Sequence, residues 1–180
     1  MSIKLKRITT QYIPFEDRIR LTGADEGGST LTLWLTQRLI NRLVVPLCDG
    51  LDKQISPTPP KQTGAAAVPS LQAHMVQTFA QQKAAAELPK GGPVVLAPQS
   101  PAWLVETVVI KNTKNNIRMT FKGLEAPQLA ELTLSSFELR QWLGIVFKQY
   151  KSAAWATQVW PAWVEEASMP SAPVQASSLH

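Results

Sequence analysis

Proton transfer, nucleophilic attack and metal ligation draw on histidine, cysteine and carboxylate side chains held at suitable spacing. This chain has few of them. Its histidines are His74 and His180, and its one cysteine is Cys48. No pair among these has metal-ligand spacing, so no metal and no cofactor are expected. Cys48 falls on the apolar side of a helical pattern, where cysteine serves as a small hydrophobe. His74 sits in a thin helical stretch as a solvated or packed residue. The carboxylates are Asp17, Asp25, Asp49, Asp52 and nine glutamates, mostly at turns or on polar faces. Glu16 and Asp17 beside Arg18 and Arg20 have the composition of a small acid site, and a turn with neighbouring ion pairs explains them as well. Gly23–Gly28 carries the glycines of a phosphate loop. It contains Asp25 and Glu26, lacks the lysine and opens a strand, so it is expected to be a hairpin turn. No catalytic residue is predicted, and the chain is not expected to be an enzyme.

Two other groups of residues are candidates for binding. If the apolar parity of each strand faces the core, Arg18 and Arg20 project together, as do Arg118 and Lys122, with Lys111 and Lys114 near a second hairpin. These six cations are the candidate anion or nucleic-acid site. An ordinary solvated sheet face is the competing explanation. Trp155, Trp160 and Trp163 are the candidate partner interface, because tryptophan is enriched at interface hot spots. Folding back to seal the core is the other placement, and the one favoured, with both open.

The elements that must position these groups follow from periodicity. Residues 3–13 favour a strand with a bulge near Lys6 or Arg7, where the alternation changes parity. Ile19 and Leu21, then Leu31, Leu33 and Leu35, alternate with polar residues as half-buried strands do. Thr36 caps a helix carrying Leu39, Ile40, Leu43, Val44 and Leu47, which Pro46 is expected to kink or end, with Gly50 as a C-terminal cap. Residues 71–88 form a helix whose stripe of Leu71, Met75, Thr78 and Phe79 must dock on something larger or be marginal. Strands are expected at 104–111, around Ile117, Met119 and Phe121, and around Leu132 and Leu134. Ser135 and Glu138 then form a capping box. The helix after it places Leu139, Trp142, Leu143, Val146, Phe147 and Tyr150 on one face, with Arg140 among the residues of the other.

The two ends resemble each other. Ile19-Arg20-Leu21-Thr22 matches Ile117-Arg118-Met119-Thr120, Leu31-Thr32-Leu33 matches Leu132-Thr133-Leu134, and Leu39 and Leu43 match Leu139 and Leu143. The expected fold is therefore α+β. Two similar βββα halves, 1–55 and 103–155, share one core of mainly antiparallel sheet, with about six strands in all. A Pro- and Ala-rich connector, 56–102, carries the helix at 71–88 and joins them, and 156–180 is a tryptophan-containing segment and tail of the same single domain. Eight of the fourteen prolines fall between Pro57 and Pro101, which marks the connector as a local feature.

Composition narrows the function classes. The chain has 180 residues, 44% of them apolar and 17% charged, which argues against full disorder, a coiled-coil rod or a collagen-like chain. A net charge of +5 permits an acidic partner without requiring one. The lone cysteine, the absence of an apolar stretch after the basic start and the shortness of all apolar runs point to a cytoplasmic protein without membrane attachment. No specific motif points to a known family. The function expected is a non-catalytic protein–protein interaction or scaffold module that self-associates. The alternative is a nucleic-acid-associated protein that binds phosphates through basic sheet faces.

Overall fold

The computed structural model describes residues 2–55, 71–89 and 91–169. The isoleucine- and threonine-rich start forms two strands, β1 (Ile3–Leu5) and β2 (Arg7–Ile13). Between them the Lys6 N–H donates to Ala24 O while Arg7 stands in register with the same Ala24. Two residues opposing one is the geometry of a bulge, and it accounts for the change of parity in the sequence. Here the bulge also carries the chain from one sheet into another. β3 (Arg18–Ala24) returns antiparallel to β2 through a turn in which Asp17 takes φ 48°, a left-handed conformation that aspartate tolerates. β4 (Thr30–Leu35) follows the Asp25–Gly28 turn, in which the Asp25 carboxylate accepts the Ser29 N–H at 2.7 Å and Gly28 takes φ 85°.

Thr36 Oγ1 accepts the Leu39 N–H and starts α1 (Gln37–Ile55). Pro46 does not end this helix, which runs on for nine residues past it. Val45 and Pro46 are exposed while Leu43, Val44, Leu47, Cys48 and Leu51 are buried. The carbonyl left without a donor by proline therefore lies toward water, where the defect is tolerated. Gly50 is inside the helix and does not cap it. A Cβ there would stand 3.4 Å from the Asn112 side chain, an ordinary van der Waals contact.

The remaining elements are α2 (Leu71–Ala86), β5 (Ala102–Leu104), β6 (Thr107–Asn112), β7 (Asn116–Lys122), β8 (Leu129–Ser135), α3 (Ser136–Ser152) and α4 (Ala162–Ala167). α3 begins with the expected capping box. Ser135 Oγ accepts the Glu138 N–H, and the Glu138 carboxylate accepts the Ser135 N–H at 2.8 Å.

The described residues form a mixed, mainly antiparallel α+β fold with two four-stranded sheets, ordered β1-β8-β7-β6 and β2-β3-β4-β5. In each sheet three strands are antiparallel and one short strand pairs in parallel. β1 lies along β8, with Leu5 opposite Leu132, and β5 lies along β4, with Trp103 opposite Leu33. The strands number more than the six expected, because the stretches 3–13 and 102–112 each bend and contribute to both sheets. At the second bend the Val105 N–H donates to Trp34 O and the Glu106 N–H to Lys122 O. Hydrogen bonding thus passes from sheet to sheet at both corners, and following it around leads back to the starting strand.

One hydrophobic cluster includes Ile19, Leu21 and Leu33 from one sheet, Met119, Phe121 and Leu132 from the other, and the inner faces of α1 and α3. Among the described residues no helix is long and apolar enough to cross a membrane.

Candidate interaction surfaces

A helix with one apolar stripe buries it, because removing that surface from water is the main gain from docking. α2 does the reverse. Leu71, Met75 and Phe79 are 76%, 62% and 67% exposed, and Gln77, Gln81 and Ala84 are buried. The residues at i, i+4 and i+8 form one continuous strip along the outside of the helix. The strip has no charged member, and Lys83 is the only lysine, arginine, aspartate or glutamate in α2.

The inner side of α2 is held by polar bonds. Gln77 Nε2 donates to Asp52 on α1, and Gln77 Oε1 accepts from the guanidinium of Arg140 on α3. Gln81 Nε2 donates to the Arg140 backbone oxygen at 2.8 Å, and Gln141 Nε2 donates to Ala84 O. His74 Nε2 lies 2.7 Å from the Glu166 carboxylate on α4. Arg140 is therefore a buried residue, 6% exposed, and not a member of the polar face of α3. Its guanidinium lies 5.3 Å from the ring of Trp163, a cation–π contact. Burial lowers the Arg140 pKa, and the Asp52 carboxylate partly opposes this. No periodicity signal separates Arg140 from the solvated residues around it. Its burial follows from α2 and α4 closing over it.

The three tryptophans close the core. Trp160 packs edge to face against Phe147 and Tyr150, with centroids 5.3 and 5.2 Å away. Trp163 is buried beneath Arg140. Trp155 is half-buried between Tyr12 and Tyr150, and its indole N–H donates to Asp17 at 3.0 Å. Trp160 and Trp163 thus have little surface left for a partner. Burial is also why Tyr150 holds its phenolic proton more tightly than a free tyrosine.

The six candidate cations do not share a sheet. Arg18 and Arg20 lie on β3, where Arg18 is 3.6 Å from Glu16 and Arg20 donates to Gln11 at 2.9 Å. Lys111, Arg118 and Lys122 belong to the other sheet, with Lys111 directly opposite Arg118, and Lys114 lies in the turn beside them. The parallel pairing of β1 adds Lys4 to this second face, opposite Glu131. Lys4, Lys111, Arg118 and Lys122 form no ion pair with any described residue. Lys4 could not be assigned to this face from the sequence, because its partner strand lies at the far end of the chain.

Cys48 is buried, and burial together with the Asp52 and Asp49 carboxylates pushes its thiol up to about 12, against the opposing influence of Arg140. It is therefore protonated and a poor nucleophile at neutral pH. Among the described residues no group of three or more histidine, cysteine or carboxylate side chains is placed to hold a metal ion. No family model, curated protein or solved structure matches the chain.

Proposed function

We propose that this chain is a non-catalytic interaction module that pairs with a second copy of itself through α2. The observation that carries this proposal is the outward apolar strip of Leu71, Met75 and Phe79 on a helix anchored by its polar side. A strip of this kind pairs with its own copy about a two-fold axis, where the same patch serves both partners. With no charge in the strip, two copies approach without like-charge repulsion across it. α2 is about 24 Å long and about 10 Å wide. That is smaller than the roughly 800 Å² per partner of a standard interface, so the association is of modest strength.

Light scattering across a concentration range tests this. The wild-type mass should rise from 19.8 kDa toward twice that value. The double variant Met75→Glu, Phe79→Glu should remain at 19.8 kDa with unchanged circular dichroism, because both side chains already face water. A wild-type chain that stays monomeric up to millimolar concentration would overturn the proposal.

The fold bears on the same reading. We infer that the halves 1–55 and 103–155 are a structural duplication within one domain. Support comes from the matched pairings, in which the leading strand of each half, β1 or β5, lies parallel to the last strand of the other. The proline-rich part of the connector, 56–70, lies outside the described residues.

A second reading, phosphate-backbone binding, draws on the four unpaired cations of the β1-β8-β7-β6 sheet. Charge reversal at Arg118 and Lys122 should abolish binding to a fluorescent DNA duplex at low salt, while reversal of Arg20, on the other sheet, should leave most of it. Binding that is insensitive to salt would exclude this reading, since phosphate contacts release counterions.

A further inference from the structure

β2 is hydrogen-bonded to β3 along one side only, and the direction of its other backbone groups can be traced across the sheet. The Thr32 N–H donates to Pro101 O, and Trp34 O accepts the Val105 N–H, so the even positions of β4 face the β5 side. Its odd positions then face β3. Alternation assigns Arg18, Arg20, Thr22 and Ala24 to the β2 side, opposite Ile13, Gln11, Thr9 and Arg7. The backbone groups of Ile8, Thr10 and Tyr12 must therefore point away from β3. An independent contact agrees. The Tyr12 N–H donates to the side chain of Gln149 on α3 at 2.8 Å. At Ile8 and Thr10 no described residue supplies such a partner.

These two open positions border a groove of about 520 Å³ between β2, α3 and the stretch after α2 that includes Leu88, Pro89, Gly91, Gly92 and Pro93. It lies at the corner where the chain leaves β8 after Leu5 and bends into β2. The half-buried Ile8 and Ile145 give it an apolar wall, with the buried Leu134 and Trp142 behind them. The Trp142 indole N–H is already committed to Thr10 Oγ1 at 3.1 Å. Lys6 and Arg7 stand at one end. The Glu138 carboxylate also borders the groove, but it is engaged by the Ser135 N–H and hydroxyl, each at 2.8 Å. Lys6 forms no ion pair with any described residue, and Arg7 donates only to Gly92 O at 3.3 Å.

We propose that this groove binds an extended peptide segment of a partner protein, which adds to β2 as a further strand. Unpaired N–H and C=O groups at alternate residues are matched by another extended backbone, and the adjoining apolar wall accepts alternate side chains. The span from Lys6 to Thr10 accommodates roughly four or five peptide residues at about 3.3 Å each. Charge complementarity places an acidic residue of the peptide beside Lys6 and Arg7, and an apolar one against Ile8 and Ile145. This inference rests on the chain being an interaction module. It uses a surface separate from α2, so either proposal can fail alone.

The test is selection of a displayed library of random heptapeptides on the full-length chain, followed by amide hydrogen exchange with the enriched peptides. Enriched sequences should alternate β-branched or apolar residues and carry an acidic residue near one end. They should slow exchange at the Ile8 and Thr10 amides at least tenfold. The same peptides N-methylated at alternate residues should bind at least tenfold more weakly, because they cannot complete the ladder. Ile145→Glu should reduce binding to a similar degree. Lys6→Glu, an exposed substitution that leaves the core intact, should shift the enrichment from acidic to basic residues. Selection should be unchanged on the Met75→Glu, Phe79→Glu variant, which separates this site from pairing through α2. Failure to enrich any peptide over the Ile145→Glu variant would overturn the proposal. So would enriched peptides that leave exchange at Ile8 and Thr10 unaltered, or that tolerate N-methylation.

Discussion

Trp160→Ala should lower the unfolding free energy by about 3–5 kcal/mol, the range for deleting a large aromatic side chain from a core. Trp160 is 7% exposed. It closes a group of rings in which it meets Phe147 and Tyr150 edge to face, and Tyr150 in turn meets Trp155. Such pairs add about 0.5–1.5 kcal/mol each beyond the area they bury. The indole nitrogen of Trp160 has no hydrogen-bond partner among the described residues, so truncation sacrifices no polar contact with them. The loss is one of packing and cavity formation. Urea denaturation followed by far-ultraviolet circular dichroism measures it without relying on the fluorescence of the deleted ring. Trp155→Ala should cost less, because Trp155 is only half-buried. A loss below about 1 kcal/mol for Trp160→Ala would mean that the segment after α3 is not part of the core.

Leu5→Ala should cost about 2–5 kcal/mol, although it alters a three-residue strand near the start of the chain. Leu5 is buried, and the core it joins is composed mainly of residues far away in sequence. Its methyl groups lie over Gly23, where a Cβ would stand 2.7 Å from Leu5 Cδ. That contact supplies a sharper measurement. Gly23→Ala alone should destabilise by overpacking, and the cost should shrink when Leu5 is also alanine. The resulting coupling energy should be about 1 kcal/mol or more in a double-mutant cycle. Lys4→Ala, on the exposed side of the same strand, should change stability by no more than about 0.5 kcal/mol. If Leu5→Ala were as mild as Lys4→Ala, β1 would not be an integral strand of the sheet with β8.

Both experiments probe packing that local sequence patterns do not encode. The helix-start and turn signals were legible because they are local. Ser135 and Glu138 are three residues apart and cap α3 whatever surrounds them. Thr36 caps α1, and Asp25 and Gly28 close their turn, for the same reason. The alternation of Ile19 and Leu21 and of Leu31, Leu33 and Leu35 also predicted burial directly, since period two puts them on one face. That α1 continues past Pro46 was not legible, because the cost of a proline depends on which side of the helix it occupies, and that side is set by what α1 packs against.

The candidate surfaces were less legible. The strip of Leu71, Met75 and Phe79 was visible as a pattern, but its direction was not, because alanine and glutamine on the other side carry no strong preference. Arg140 looked solvated, yet it lies at the junction of α2, α3 and α4. The free edge of β2 had no signal at all, since every strand has the same backbone and only its neighbours determine which amides are left open.

The sequence by itself determined the local elements, their N-terminal caps and turns, the inward apolar faces of the strands and α3, and the scarcity of groups able to do catalysis. These depend on interactions within a few residues. Only the tertiary structure decided that β1 joins β8, that α2 turns its apolar strip outward, that Trp160 and Trp163 are buried, and which cations share a face. Each of those outcomes depends on segments distant along the chain competing for the same buried area and the same backbone hydrogen bonds. No short window of sequence contains both competitors.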